Sequence, residues 1–461
     1  MSESPYRERI AEALADGWRV VGLHATGGGT VRVALADRDG ALRLESASAH
    51  DATFPTIVDL AEAAAWDERE AADTYGLRFD GHEPLRPLVD HDLELSTWTV
   101  PVGGRDPYQV AVGPIHAGVI ESGHFRFHVV GEKILQLDAR LFYKHRGLER
   151  AAEGAGFDEG LAYAARACGA CAVTNSVAYA QACEQLLGLR VTPQLARART
   201  VLLELERVWS HLNDISAICA GTGLAAGTQL FGALSERARR LNRELTGHRY
   251  LFGSVQVGGS EVDLDESKVR ETRGTLDALR DEAGRGTREL LFNRSFQERL
   301  PDIGIVDAAT VERLGTVGPA ARAAGLREDT RAVSPQLGYA DFEAVVPARA
   351  FGDVQSRFDQ RPLELAQSFD ILDGLLDRPL SPTAAERAAD ESAIGLARVE
   401  SPRGATLCVV ERDGARIARV RLRTGSYANW PSVAHAAADN MLPDFPLINK
   451  SFELCYACAD R

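Results

Sequence analysis

No run of apolar residues in this sequence approaches the roughly 18 that a membrane span requires, so the chain itself is not expected to cross a bilayer. Basic residues are also short: 52 Lys and Arg stand against 66 Asp and Glu, a formal charge of −14. A nucleic-acid binder usually carries a basic footprint, so no nucleic-acid partner is expected. The opening Met1-Ser-Glu-Ser-Pro-Tyr-Arg-Glu-Arg9 is polar and shows no signal peptide. Seven cysteines in 461 residues, an odd number, do not make the framework of a secreted disulfide protein. A soluble cytoplasmic protein is expected, with any membrane association arising through partners.

What the sequence does have is length for a large core and two domains, and two cysteine pairs set far apart. Cys168-Gly-Ala-Cys171 lies in the interior and Cys455-Tyr-Ala-Cys458 near Arg461. Cysteines at i and i+3 on a helix turn share one face, as a common metal requires. A lone pair also fits a zinc knuckle, a redox dithiol or two buried small residues. A zinc ribbon brings its second pair within about 15–20 residues. Here nearly the whole chain intervenes, which suggests a metal buried at the centre of a large domain.

The remaining pattern is α+β. Residues 5–16 read as a helix, Trp18–Ala25 and Thr30–Leu35 as strands, and Ile57–Trp66 as a second helix. An acidic helix then stops at Gly76. Pro84 to Pro107 reads as a junction. Residues 109–137 alternate as strands, 190–250 and 264–300 are helical, and 393–423 return to strands around a turn at Asp413-Gly414. Pro362 is expected to kink or restart its helix. The stretch Glu204–Asp214 reads as an ordinary bundle helix. Cys183 and Cys219 read as core residues.

The cysteine pairs resemble those of the nickel–iron hydrogenase large subunit, and other motifs follow in that family's order. Glu68-Arg-Glu70, Asp73, Gly76, Gly81-His82 and Leu85-Arg86 resemble the small hydrophilic subunit of complex I. Lys144-His-Arg-Gly-Leu-Glu149, Glu204–Asp214, Gly318-Pro-Ala-Ala-Arg-Ala-Ala-Gly325 with Asp329 and Arg331, and Gly352-Asp-Val-Gln-Ser-Arg357 with Arg361, Glu364, Gln367 and Ser368 resemble the core shared with the complex I quinone-site subunit, where the resemblance implies supporting and not catalytic roles for all but the first. Asn429-Trp-Pro431 and Asp444–Cys455 resemble the hydrogenase approach to the second pair. The closest likeness is to the membrane-associated, energy-converting, formate hydrogenlyase-like branch, in which both complex I-like modules share one chain.

The resemblance implies a small α+β domain over residues 1–90 and, over 91–461, a mainly helical hydrogenase/complex I-type core with peripheral β-hairpins. It implies that Cys168, Cys171, Cys455 and Cys458 hold a nickel–iron centre whose iron carries carbon monoxide and cyanide. Glu121, placed by Gly113, Pro114, His116 and Phe125, is implied to relay protons. Arg403 of Glu400-Ser-Pro-Arg-Gly404 is implied to reach over the metals and contact a cyanide. The implied reaction is interconversion of H2 with two protons and two electrons. The other cysteines cannot build a four-thiolate iron–sulfur cluster, so no such cluster is expected in this chain. An iron–sulfur small subunit is implied as partner, with membrane subunits on the cytoplasmic face and metal-centre maturation proteins.

Three positions depart from the family: Asn175 and Cys408 stand where histidines are usual, and Glu453-Leu454 replaces Asp-Pro. All three surround the ligands without being ligands, positions that tune affinity and reactivity. Cys408 is expected near the active site but outside the thiolate cluster. Relatives are commonly cleaved after the residue corresponding to Arg461, so a mature form, or one needing no cleavage, is expected. Where relatives hold magnesium with a terminal histidine, Arg461 is expected to bind Glu149 directly. Two alternatives remain: a complex I-like NADH/quinone oxidoreductase subunit without hydrogenase activity, and a zinc-binding structural subunit.

Overall fold

The computed structural model describes residues 5–91, 100–103, 106–115, 121–334, 336–339, 341–388 and 390–461. His116 and part of the expected junction, 92–99 and 104–105, lie outside the described residues. The chain folds as α+β, with small separate sheets around a helical body.

Alternating apolar residues in Arg19–Thr26, Thr30–Ala36 and Leu42–Ser48 make an antiparallel sheet in sequential order. Its inner face closes against helices Pro5–Ala15 and Ala65–Tyr75 around an apolar core that includes Ile10, Leu23, Val33 and Phe79. Gly76, at φ 67°, ends the second helix in the left-handed conformation that glycine adopts at little cost. The acidic helix ending at Gly76 lies where the sequence suggests, but the separate helix expected over Ile57–Trp66 does not form: Glu62–Ala64 makes only a short 3-10 turn before Ala65. Glu68 accepts hydrogen bonds from Thr56 Oγ1 at 2.7 Å and the Ile57 amide at 2.8 Å, and it also bonds His82. Residues 56–61 therefore wrap around a carboxylate instead of continuing a helix backwards.

From Leu88 onward a second, larger apolar core forms. Its axis is the helix Pro193–Thr222, capped by Thr192 and buried on nearly every side from Ala198 to Ile215. Helices Ala172–Leu186, Ala225–Thr246, Glu266–Phe292 and Val354–Leu375 belong to the same core. The last of these runs through Pro362 without restarting. Contacts of Arg361 with Asp214, Glu364 with His211 and Ser368 with Glu204 hold its central part against the axial helix. The sheet Ile394–Ser401, Gly404–Asp413 and Arg416–Arg423 turns at Asp413-Gly414, as expected. Leu407 and Val409 on its outer side pack against Val21, Ala34 and Ala36, which joins the first sheet to the large core. Among the described residues no helix is long and apolar enough to cross a membrane.

Candidate metal centre

Two helix beginnings bring the distant cysteines together. Cys168–Cys171 forms a turn, not part of a helix, and Cys171 is the N-cap of Ala172–Leu186. Cys455 is the N-cap of the short helix Tyr456–Asp460, which carries Cys458. The sulfurs of Cys168, Cys455 and Cys458 lie within 4.8 Å of one another. Cys171 completes the cluster through hydrogen bonds to Cys168 and Cys458. All are buried except Cys455, which is partly exposed. Hydrogen bonding with Cys168 holds Cys171 and Cys455 below the usual thiol range. The reciprocal bonds, to Cys171 and to Cys168 respectively, push Cys168 and Cys458 above it.

Glu121 sits beside the second pair. Its Oε2 accepts the Ala457 amide at 2.5 Å and the Cys455 thiol at 4.0 Å. Burial, and then the charge of Cys455, pushes its carboxyl up to about 7.

On the other side stands Arg403, in the two-residue turn joining Ile394–Ser401 to Gly404–Asp413. The Asn429 side chain holds this turn, donating to Arg403 O at 2.9 Å and accepting from the Val317 amide at 2.8 Å. Glycine is required where Gly318 meets Gly404, because a Cβ at 318 would lie 2.3 Å from the Gly404 Cα. The buried guanidinium spans Asp214, with Nη2 2.9 Å from Oδ1 and Nη1 donating to Oδ2 at 3.1 Å. Burial works against its charge, but Asp214, Cys171, Glu453 and Cys455 more than offset this and raise its pKa.

Asp214 and Glu206 are parts of the site that the helical pattern did not reveal. Burial opposes the Asp214 charge, and Arg403 and Arg361 overcome it, holding the carboxyl below its usual range. Glu206 accepts from the Val173 and Thr174 amides at 2.7 and 3.1 Å, at the start of the helix that Cys171 caps. The available signal was several acids on a helix too apolar to leave them in water, where each needs a partner. The buried set Arg207, His211, Arg322, Asp329, Arg331, Glu364 and Glu400 forms ionic contacts behind this region.

Cys408 lies outside the thiol cluster, as expected. It lies in mid-strand between Ala397 and Leu422, within the large core, and Cys183 is the thiol that acts on it most. The four clustered thiols form a separate group. Arg461 is buried, but Glu149 is its more distant acidic partner. Its Nη2 lies 2.6 Å from Glu70 Oε1, while its Nε is 3.6 Å from Glu149 Oε1.

Four converging sulfurs suit a soft metal. Asn175, one turn beyond Cys171, is fully buried, and neither polar atom of its side chain has a partner among the described residues. Buried amides are normally satisfied, so unused hydrogen-bonding capacity beside the thiols fits a group that the chain itself does not supply.

Residues 224–394 and 383–461 match the respiratory-chain NADH dehydrogenase 49 kDa subunit family, and 26–99 match the 30 kDa subunit family. The chain is 32% identical over 439 residues to formate hydrogenlyase subunit 5 of Escherichia coli (strain K12), covering 88% of this chain and 77% of that protein. It is 31% identical over 436 residues to hydrogenase-4 component G of the same organism, with coverage of 88% and 76%. With a C/D-type NADH-quinone oxidoreductase subunit of Aquifex aeolicus (strain VF5) it shares 29% identity over 380 residues, 70% of this chain and 64% of that one. Among solved structures, a chain of the membrane-bound sulfane sulfur reductase, an archaeal respiratory membrane complex, matches with TM-score 0.70 and 26% identity, over 77% of this chain and 99% of its own. The chain thus belongs to the respiratory-chain NADH dehydrogenase 49 kDa family with a fused 30 kDa-type module, and it resembles the nickel–iron hydrogenase large subunits of the formate hydrogenlyase-like branch.

Proposed function

We propose that this chain is the catalytic large subunit of a nickel–iron hydrogenase-type complex, interconverting H2 with protons and electrons. The observation that carries this reading is the gathering of Cys168, Cys455 and Cys458 within 4.8 Å, with Cys171 hydrogen-bonded to Cys168 and Cys458 and Glu121 alongside. Bound through these thiolates, a nickel–iron centre carrying carbon monoxide and cyanide supplies the redox chemistry for H2.

The chain's own residues do the rest. Glu121 exchanges a proton at the Cys455 sulfur, which its carboxyl can do near neutral pH. Arg403 offsets thiolate charge in a site largely shielded from water, and Asp214 fixes its orientation. Electrons leave through a separate iron–sulfur subunit, because Cys183, Cys219 and Cys408 are too few for a cluster of four thiolates. Membrane subunits hold the complex to the cytoplasmic face, and maturation proteins install the metals. The separate apolar cores support a boundary near residue 90 between a 30 kDa-type domain and the metal-bearing domain.

A complex I-like quinone oxidoreductase subunit is the second reading, favoured by the family match over 224–461. Metal analysis with infrared spectroscopy of the purified complex separates the two. Nickel, iron and bands from carbon monoxide and cyanide support the hydrogenase. Absence of nickel from fully matured complex overturns it, and zinc alone assigns a structural site.

A further inference from the structure

The short helix Tyr456–Asp460 is tied down on two sides. On one side the ties come from the neighbouring loop: Asp460 accepts the amides of Phe142 and Lys144 at 2.7 and 2.9 Å, and the Arg146 amide donates to Arg461 O at 2.7 Å. On the other side Thr424 Oγ1 donates to Cys458 O at 3.0 Å, and the Arg461 side chain reaches into a buried pocket of charge. There Arg461 Nη1 donates to Leu422 O at 2.8 Å, Nη2 donates to Glu70 at 2.6 Å, and the guanidinium lies 4.7 Å from the Tyr427 ring centre.

Glu70 belongs to the other unit, on the helix Ala65–Tyr75. The same Oε1 also takes Arg421 Nη1 at 2.7 Å. Asp67, one turn earlier, joins Arg421 and Arg423 but has no ion pair with Arg461. The two acids therefore have different tasks. Asp67 joins unit to unit, while Glu70 does so through Arg421 and in addition holds the residue that closes the cysteine-bearing helix. Glu149, at 3.6 Å from Arg461 Nε, is otherwise engaged by the Leu422 amide at 2.9 Å and Arg419 at 3.1 Å. Without Glu70 the guanidinium loses its short ionic contact.

We propose that Glu70 is a positioning residue for the metal centre: through Arg461 it holds the helix bearing Cys458, with Cys455 at its cap, against Cys168 and Cys171. The small unit is thereby part of the metal site without supplying a ligand. This rests on the four thiols being the metal ligands, as proposed above. A buried ion pair that loses its short partner leaves the other charge poorly compensated, here with only the more distant Glu149 at 3.6 Å, and the nearest structure to respond is the five-residue helix, not the long bundle.

The test uses the full-length chain produced without nickel, labelled by iodoacetamide under native conditions and read cysteine by cysteine in a mass spectrometer. In Glu70→Gln the labelling rate of Cys458 should rise at least about tenfold through local opening. Cys183, Cys219 and Cys408 should stay protected, as internal measures of the fold. Glu70→Asp should restore part of the protection. Asp67→Asn, which loosens the junction without touching Arg461, should raise Cys458 labelling much less. The proposal falls if Cys458 in Glu70→Gln stays as protected as in the parent chain, if Asp67→Asn exposes it equally, or if all the buried cysteines open together. In the matured complex Glu70→Gln should also lower nickel content. Absence of nickel from the parent complex would count against the hydrogenase reading, whereas the labelling ratio tests the clamp whatever metal is bound.

Discussion

The guanidinium of Arg403 is fixed by the carboxylate of Asp214, with Nη2 2.9 Å from Oδ1 and Nη1 3.1 Å from Oδ2. The Nη1 hydrogen bond and the Nη2 ionic contact together hold the planar guanidinium against the carboxylate. Lysine would keep the charge and lose the plane, since an ammonium is a point donor. Arg403→Lys should retain bound metal and lose about 10- to 100-fold in H2 turnover, the usual scale for residues that orient a metal site. Asp214→Asn should do the same through Arg403. Nickel content and turnover measured together check both, and full turnover in either would remove the pair from the mechanism.

Glu121 makes its hydrogen bond to the Ala457 amide and its approach to Cys455 with one oxygen, Oε2. A glutamine can place its carbonyl oxygen there and keep the amide contact, but it cannot take up a proton. Glu121→Gln should leave nickel and iron bound and lower turnover by about 10²- to 10⁴-fold, the range for a lost acid–base group. Turnover equal to that of the parent enzyme would exclude the relay.

Much of this arrangement was legible in the sequence because it is local. The turn at Asp413-Gly414, the stop at Gly76 and the cysteine pairs each show within a few residues. Glu70 was not legible in this way. An acid in Glu68-Arg-Glu70 reads as a solvated helix face, and its partners Arg421 and Arg461 lie 351 and 391 positions away. Asp214 and Glu206 were hidden by a helix that is buried on nearly all sides, so that no polar face marks them. Counting positions from Arg403 put Cys408 outside the thiol cluster, as found, but did not show that its strand buries it in the large core. Five residues of extended strand beyond Arg403 span about 16 Å, which carries the thiol away from the turn and into the core.

Glu206 gives the protein a pH dependence of definite sign. Burial, then the charge of Cys171, raises its carboxyl to about 8, above the ordinary carboxylate range. The folded chain therefore keeps a proton that the unfolded chain releases near pH 4.5. Its contribution favours the folded state most at low pH. That contribution declines as pH rises from about 4.5 towards 8, by up to about 1.4 kcal/mol per pH unit for one proton. Glu206→Gln should remove this slope, since an amide does not titrate, at the cost of one of the two backbone contacts, because the Val173 and Thr174 amides use different carboxylate oxygens and glutamine has one acceptor. Unfolding midpoints of the full-length chain at pH 5, 6.5 and 8 check it. Parallel pH profiles for the two proteins would show that Glu206 does not carry the dependence.

The last prediction separates Cys408 from the four clustered thiols. Cys408 is fully buried, and its surroundings, which include Cys183, belong to the large apolar core. Burial raises its pKa well above the usual thiol value, so it persists as a protonated, unreactive thiol. Removing its sulfur costs packing and no ligand. Cys408→Ala should leave nickel and iron content unchanged and lower stability by about 1 kcal/mol, the scale of a small core deletion. Cys458 is equally buried, but its sulfur lies among Cys168, Cys171 and Cys455. Cys458→Ala should lose the metal centre and, being equally buried, cost a similar ~1 kcal/mol in the metal-free chain. Metal content measured on both variants therefore separates the two thiols, while the midpoints of the metal-free chains should fall together. Loss of nickel from Cys408→Ala would make it a fifth ligand and require the strand to reach the site in the matured enzyme.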